Sequence, residues 1–69
     1  MIVLNGQDTD VPAGETVAGV LERLGVGAGD GARGVAVAVD GEVVPRAAWS
    51  SFALAQDARV EVLRAMQGG

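Results

Sequence analysis

Residues 35–45 read VAVAVDGEVVP, a pattern that predicts a β-hairpin. Residues 35–39 form an uninterrupted Val/Ala run, as expected of a strand that is buried on both faces or nearly so. Asp40-Gly41 is a hairpin turn signal, because both residue types accept a positive φ. A short return strand is expected at residues 42–44, until Pro45, which has no N–H to donate, ends the ladder.

The residues before this hairpin predict a second hairpin and one helix. Residues 1–4 are apolar and β-prone, Asn5-Gly6 is another turn signal, and the return strand is expected around residues 9–11. A helix should follow, with Thr16 as its N-cap and Gly25 as its C-terminal stop. Its apolar stripe recurs at helical spacing and consists of Val17, Val20, Leu21 and Leu24.

Residues 59–65 predict the last strand, since Val60 and Val62 alternate with Glu61 and Leu63. A helix of about nine residues is too short to be stable alone in water and must pack on the sheet. The economical arrangement is a mixed sheet of four to five strands on one main helix, with the first and last strands parallel at its centre. The sequence therefore predicts an α+β fold of the β-grasp (ubiquitin-like) type, in which residues 1–65 form the domain.

The chain ends with Gln67-Gly68-Gly69, and residues 66–69 are expected to form a flexible tail beyond the central strand. Two glycines without side chains could thread a narrow channel in a partner and deliver the α-carboxylate of Gly69 to an active site. Met66 and Gln67 would form the neck of this tail. An ordinary frayed terminus is an equally good interpretation of the dipeptide taken alone.

The charge and the hydropathy pattern exclude two kinds of partner. The 69 residues carry a net charge of −4 and contain no basic cluster, which argues against nucleic-acid binding. Met1 leads directly into a strand, without the charged segment and apolar run of a signal peptide. No apolar stretch approaches membrane-spanning length. We therefore expect a cytoplasmic protein with no membrane partner.

The missing residue types narrow the chemistry further. Cysteine, histidine and lysine are absent, so the chain lacks a thiol nucleophile, the commonest general base and a Schiff-base amine. The glycine-rich residues 25–34 lack the Lys and the Ser or Thr of a phosphate-binding loop. We therefore expect a protein that is not an enzyme, with no catalytic residues, no metal site and no bound cofactor.

Residues 37–49, VAVDGEVVPRAAW, resemble the strand–turn–strand and the following Pro-Arg-x-x-Trp motif of the ThiS sulfur-carrier family of thiamine biosynthesis. Asn5-Gly6, residues 12–17 (PAGETV) and the terminal Gly68-Gly69 also agree with that family. The tail alone is shared with ubiquitin-like modifiers and with the small subunit of molybdopterin synthase. The Pro-Arg-x-x-Trp motif is what favours ThiS over these relatives.

One segment departs from the family pattern. Gln56-Asp57-Ala58 stands where the family usually carries a Gly-Asp turn. Asp tolerates the left-handed conformation better than most residues, so we expect a modified turn before the last strand. The departure affects this loop and not the tail.

The resemblance implies a carrier on which other proteins act. A ThiF-type adenylyltransferase would use Mg-ATP to adenylate the carboxylate of Gly69, while Gly68, Gln67 and Met66 thread its active site. Sulfur from a persulfide on a donor protein would then replace AMP and leave a thiocarboxylate. The loaded carrier would donate this sulfur to a ThiG-type thiazole synthase.

Leu63 and Arg64, near the tail, and Arg46 and Trp49, in the motif, are the candidates for docking to these partners. Leu63 could form an exposed apolar patch with Ala36 and Ala38, unless loop residues such as Phe52 or Leu54 cover it. For Trp49, a packed and partly buried anchor is the simpler interpretation. For Arg46, the simpler interpretation is a surface ion pair.

Three other functions remain open from the sequence. The first is a sulfur carrier for another pathway, such as molybdopterin synthesis, with the same chemistry and a different acceptor. The second is a ubiquitin-like modifier that is joined to lysines of other proteins. The third is a binding module whose terminal glycines have no role.

Overall fold

The computed structural model describes residues 1–26 and 34–64, which form a sheet with one α-helix packed on it. The elements in chain order are β1 (Ile2–Leu4), β2 (Gln7–Thr9), α1 (Val17–Arg23), β3 (Val35–Val39), β4 (Glu42–Val43), a short 3₁₀ helix (Arg46–Ala48) and β5 (Arg59–Arg64). Residues 27–33 of the predicted glycine-rich loop and the predicted tail, residues 66–69, lie outside the described residues, as does Ala65. None of the described helices is long and apolar enough to cross a membrane.

Strand β5 lies in the middle of a five-stranded sheet with the order β2-β1-β5-β3-β4. β1 runs parallel to β5, with Val3 opposite Arg59, and the other neighbouring strands are antiparallel. The predicted α+β fold, with the first and last strands parallel at the centre of a mixed sheet, is therefore confirmed. Because β1 and β5 are parallel, β5 runs towards the same end of the sheet as the β1–β2 turn.

Both predicted hairpin turns are present, and both have the positive φ angles of a two-residue type I′ turn. Asn5 and Gly6 have φ angles of 50° and 81°, and Asp40 and Gly41 have φ angles of 50° and 86°. This backbone twist matches the twist of the flanking strands, so each turn reverses the chain directly into the next strand.

The first return strand begins earlier than predicted. The two-residue turn places Leu4 opposite Gln7 and Ile2 opposite Thr9, so the strand is Gln7–Thr9 and the prediction of residues 9–11 is wrong. Thr9 and Val11 have a high β propensity, but the register that the turn imposes outweighs propensity. In the second hairpin the return strand ends at Val43, one residue before the predicted end.

The predicted N-cap and the predicted glycine stop of helix α1 are present, but the helix has seven residues rather than about nine, and Leu24, predicted in its apolar stripe, is the 41% exposed C-cap residue. The Thr16 hydroxyl accepts a hydrogen bond from the Gly19 N–H at 3.1 Å, as an N-cap residue does, and Gly25 follows the helix with a φ of 80°. Glu15 adds two contacts: its carboxylate accepts from the Thr16 N–H at 3.1 Å and from Nε of Arg23 at 3.0 Å. The Arg23 bond, followed by the Thr16 bond, holds the pKa of the Glu15 carboxyl below its ordinary value.

Gly19 provides the space in which this carboxylate lies. A Cβ atom at position 19 would overlap the Glu15 carboxylate. Glycine is unfavourable inside a helix by propensity alone. Here it lets Glu15 lie along the first turn and reach Arg23, about two turns further on.

The core lies between one face of the sheet and α1. Its largest fully buried side chains are Ile2, Val17, Val20, Val37 and Val60. Trp49 packs against the same cluster with 7% of its surface exposed, and its Nε1–H donates to the Val44 carbonyl at 2.9 Å. Trp49 is therefore the packed anchor that the sequence suggested.

Strand β3 is buried on one face only, so the prediction that both faces are buried is wrong. Val37 and Val39 face the core, whereas Ala36 is exposed and Ala38 is half-buried. The reason is that α1 packs against a single face of the sheet. Alanine is small enough to suit either environment, so a Val/Ala run does not distinguish a one-sided strand from a two-sided one.

The turn before β5 forms in spite of its unusual sequence. Asp57 has a φ of 65°, and the Ala58 N–H donates to the Ala55 carbonyl at 3.1 Å. The expectation of a modified turn with a left-handed Asp is confirmed. The Asp57 N–H also donates to the Met1 carbonyl at 2.8 Å, which ties this turn to the start of β1.

Candidate functional site

The candidate site is the carboxyl end of β5, from which the chain continues into the predicted tail. β5 ends at Arg64, and Met66, Gln67, Gly68 and Gly69, the residues predicted to carry the chemistry, lie outside the described residues. The described structure therefore supplies the base of the site: a central strand whose position is fixed by its neighbours on both sides.

Side chains from the two hairpin turns hold β5 on opposite flanks. Asn5 Oδ1 accepts a hydrogen bond from the Val62 N–H at 2.8 Å. Asp40 Oδ1 accepts from the Arg59 N–H at 3.0 Å, and the Asp40 N–H donates to the Arg59 carbonyl at 2.8 Å. Each turn residue thus adds one side-chain hydrogen bond to the backbone hydrogen bonds between β5 and the neighbouring strand.

Sequence reasoning identified Asn5 and Asp40 as turn residues but missed these contacts. The only signal was the choice of Asn and Asp, rather than Gly, at the first turn position. Their short side chains can hydrogen-bond to backbone groups while they adopt a positive φ. Which backbone group accepts or donates depends on strands that are distant in the sequence, so the signal alone did not name the partner.

The two flanks of β5 are paired to different extents. β3 pairs along the strand, from Val39 opposite Val60 to Val35 opposite Arg64. β1 is shorter and pairs only with Arg59 and Val60. Beyond the Asn5 contact, the described residues provide a neighbour for the end of β5 on the β3 flank alone.

The face of the sheet opposite α1, called the outer face below, carries an exposed apolar patch near the end of β5. Leu63 is 64% exposed and lies opposite Ala36, and Val43 is 74% exposed and lies opposite Ala38. We call these four residues the outer patch. Exposed apolar groups of this kind often mark protein interfaces.

Phe52 and Leu54 do not cover this patch. Both belong to the core or pack against it, and the Leu54 N–H donates to the Glu15 carbonyl at 2.7 Å beside the start of α1. They therefore lie on the other side of the sheet. The patch that the sequence predicted from Leu63, Ala36 and Ala38 is exposed, and Val43 extends it.

The predicted docking residues fall into two groups that the fold does not bring together. Leu63 and Arg64 are both exposed at the end of β5. Trp49 is buried and accepts a hydrogen bond from the Ala18 N–H through its carbonyl at 3.0 Å, so it lies on the helix side of the sheet. Arg46 is exposed at the start of the 3₁₀ helix that directly precedes this anchor. Their docking roles stay predictions.

The acidic residues of the described part of the chain do not form a metal centre. In residues 1–26 and 34–64, no three acidic side chains are grouped so that they could hold a metal ion. Arg59 and Glu61 lie on the same face of β5 as Leu63, and Glu61 is paired with Ala38 of the outer patch. The outer patch is therefore bordered by a carboxylate.

Comparison with known proteins matches the chain to a protein family. The family model of the ThiS family matches residues 2–69. Among solved structures, the chain is similar to the crystal structure of the thiamine biosynthesis protein (ThiS) from Geobacter metallireducens, with a TM-score of 0.74 and 30% sequence identity over 99% of this chain and 97% of that chain. A comparison with curated proteins found no match.

Proposed function

The chain belongs to the ThiS family, and on this premise we propose that it is a sulfur carrier of thiamine biosynthesis rather than a catalyst. The sulfur is attached at the carboxyl group of Gly69. The observation that carries the proposal is the combination of the family match through residue 69 with a central strand that ends at Arg64, five residues before Gly69. The interaction partners are enzymes of the same pathway.

The carrier chemistry starts from an unreactive group. A free α-carboxyl group has a pKa of about 3.5, so near neutral pH it is an anion and a poor electrophile. A ThiF-type adenylyltransferase activates it: a carboxylate oxygen of Gly69 attacks the α-phosphorus of ATP, and pyrophosphate leaves. The enzyme supplies the cations and the Mg²⁺ that stabilise the phosphate charge.

Sulfur then enters by substitution at the activated carbonyl. The terminal sulfur of a persulfide on the donor protein attacks the acyl-adenylate, AMP leaves, and an acyl disulfide forms. A thiol cleaves the S–S bond, which leaves a thiocarboxylate on Gly69 and a new disulfide. The thiocarboxylate donates its sulfur to a ThiG-type thiazole synthase.

The composition of the chain suits this role. Without cysteine, the chain cannot hold sulfur on a thiol of its own, so the terminal carboxyl group is the attachment point. Without lysine, no side-chain amine of another copy can capture the activated carboxyl group. The terminal glycines lack side chains, which allows the tail, with Met66 and Gln67 as its neck, to enter a narrow active site.

The outer patch is the proposed docking surface for the activating enzyme. Leu63 and Val43 are the most exposed large apolar side chains in the described residues, and Leu63 stands one residue before the end of β5. A partner that covers this patch would bury apolar surface and hold the start of the tail at the same time. Arg64 lies beside it and could pair with an acidic group of that partner.

Intact-mass measurement after incubation with a ThiF-type enzyme, Mg-ATP and a sulfur donor tests the proposal. We expect the mass gain that corresponds to the replacement of one carboxylate oxygen by sulfur, and no gain in a variant that lacks Gly69. An unchanged mass, with the activating enzyme active on another carrier, would overturn the proposal. Transfer of the sulfur to molybdopterin synthesis, or conjugates with lysines of other proteins, would favour one of the two related functions.

A further inference from the structure

The flank of β5 that faces β1 is open next to the tail. In a β-strand, the N–H and C=O groups of alternate residues point to opposite sides. The Asn5 N–H donates to the Val60 carbonyl at 2.8 Å, and the Val62 N–H donates to Asn5 Oδ1. Val60, Val62 and Arg64 therefore direct their backbone groups towards the β1 side, whereas Arg59, Glu61 and Leu63 direct theirs towards β3.

Three backbone groups on this flank have no partner in residues 1–26 and 34–64. They are the carbonyl of Val62 and the N–H and carbonyl of Arg64. β1 cannot reach them, because it ends at Leu4 and the chain turns away through Asn5-Gly6 into β2. Such unpaired groups at the side of a strand are a template for pairing with another chain.

We propose that an extended strand of the enzyme that receives the tail pairs with this open flank, from Val62 onwards. This inference rests on the proposed function, because it assigns the recognition of the carrier to the same enzymes. Addition of a strand to a sheet edge is a known mode of recognition, in which main-chain hydrogen bonds provide the affinity. The added strand would occupy the line along which β1 would have continued.

The position of the open backbone groups next to the tail indicates which protein would supply the pairing strand. The open groups stand at the end of β5, immediately before residues 65–69, so the enzyme that receives the tail is the protein whose strand would reach them. Five residues in an extended conformation span about 17 Å. Pairing at Val62 and Arg64 would fix the direction and register of this segment and so bring the carboxylate of Gly69 to a defined depth.

Asn5 sets the point at which the partner strand begins. Its side-chain oxygen occupies the Val62 N–H, so the first free group on the flank is the Val62 carbonyl. Its backbone, with a φ of 50°, turns the chain away from β5. Asn5 therefore acts as a positioning residue: it ends the pairing with β1 and leaves the rest of the flank to the partner.

Residue-resolved amide hydrogen exchange tests the proposal, on the full chain alone and in complex with a ThiF-type enzyme. We expect the Arg64 amide to exchange freely in the isolated chain and at least about tenfold more slowly in the complex. The Leu63 amide is the matched control, because it faces β3 and should be protected in both states. An Arg64 amide that is already protected in the isolated chain would overturn the proposal.

A pair of variants separates the contribution of the Arg64 backbone N–H to adenylation from that of its side chain. Arg64→Pro removes the N–H and Arg64→Ala keeps it, while both remove the guanidinium group. The Arg64 N–H does not belong to the β3 ladder, so Arg64→Pro should melt within a few degrees of Arg64→Ala. We expect kcat/KM for adenylation to be about 5-fold to 10-fold lower for Arg64→Pro than for Arg64→Ala, as for one lost hydrogen bond.

The outcomes distinguish this inference from the function on which it rests. Equal kcat/KM values for the two variants, or an adenylated complex in which the Arg64 amide still exchanges freely, would overturn strand pairing and leave the carrier function standing. A complete lack of adenylation of the natural chain, with an enzyme that activates another carrier, would overturn the function and the strand pairing with it.

Discussion

Asn5 connects two parts of the chain that are distant in sequence. Its backbone adopts the positive φ that the β1–β2 turn requires, and its side chain accepts a hydrogen bond from Val62, 57 residues later. One residue thus ends the first strand and supports the last strand just before the tail. Because the contact joins a turn to the central strand, a substitution of Asn5 should also alter how firmly β5 is held at the candidate site.

Replacing Asn5 with Gly or Asp should separate these two contributions. Asn5→Gly keeps the turn conformation but removes the acceptor, so we expect the free energy of unfolding to fall by about 1 kcal/mol. Asn5→Asp keeps an acceptor and a residue type that tolerates positive φ, and should change it by less than about 0.5 kcal/mol. Urea denaturation measures both. Equal stability of the two variants would mean that the bond to Val62 contributes nothing.

Glu15 should give the stability a specific dependence on pH. The Arg23 and Thr16 hydrogen bonds lower the pKa of Glu15 in the folded protein below its ordinary value of 4.5. Its stabilising contribution is therefore fully present above the unfolded-state pKa and is lost as the pH falls through the folded-state pKa. We expect the melting temperature to fall less on acidification in Glu15→Gln than in the natural chain, when melting curves are compared from neutral pH down to about pH 3. Parallel curves for the two proteins would contradict this assignment.

At the scale of the elements, turn chemistry was predicted more reliably than strand extent. Asn5-Gly6 and Asp40-Gly41 identify their turns, because few residue types accept the φ angles that a type I′ turn requires. The position of β2 was missed, since it depends on the register that the turn imposes and not on the propensity of Thr9 or Val11. The Val/Ala run of β3 wrongly suggested burial on both faces, because alanine fits a buried or an exposed position equally well, whereas the patch predicted from Leu63 correctly included an exposed Ala36.

The same reasoning explains what could be predicted of the candidate site. The alternation of Val60, Glu61, Val62 and Leu63 was enough to place Leu63 on the face away from the helix, and the outer patch follows from it. The open flank of β5 could not be predicted, because it results from a difference in length between β1 and β3. That difference is set by where each neighbouring strand turns, which the pattern of β5 itself does not contain.

At the scale of the whole molecule, the helix covers one face of the sheet and the outer patch marks the other. We expect Leu63→Ser to lower kcat/KM for adenylation by about tenfold or more, because the partner would bury less apolar surface. Since Leu63 is 64% exposed, the free energy of unfolding should change by no more than about 0.5 kcal/mol. Adenylation kinetics and urea denaturation of the same variant check the two statements.

Leu24→Ser provides the control for this prediction. Leu24 is also a partly exposed leucine, with 41% of its surface accessible, but it lies at the end of α1 and not on the outer face. Its replacement should leave kcat/KM for adenylation unchanged. If the two variants impaired adenylation equally, the outer patch would not be the docking surface.

The parallel pairing of β1 and β5 also determines how the molecule bears mechanical tension. When the two ends of the chain are pulled apart, these neighbouring strands are drawn in opposite directions along their common ladder. The bonds from the Val3 N–H to Ala58 and from the Asn5 N–H to Val60, at 2.9 and 2.8 Å, are then loaded in shear and must break together, whereas the bonds of a hairpin pulled from its open end break one at a time. Force applied between the two ends of the chain should therefore meet its main resistance at the centre of the sheet.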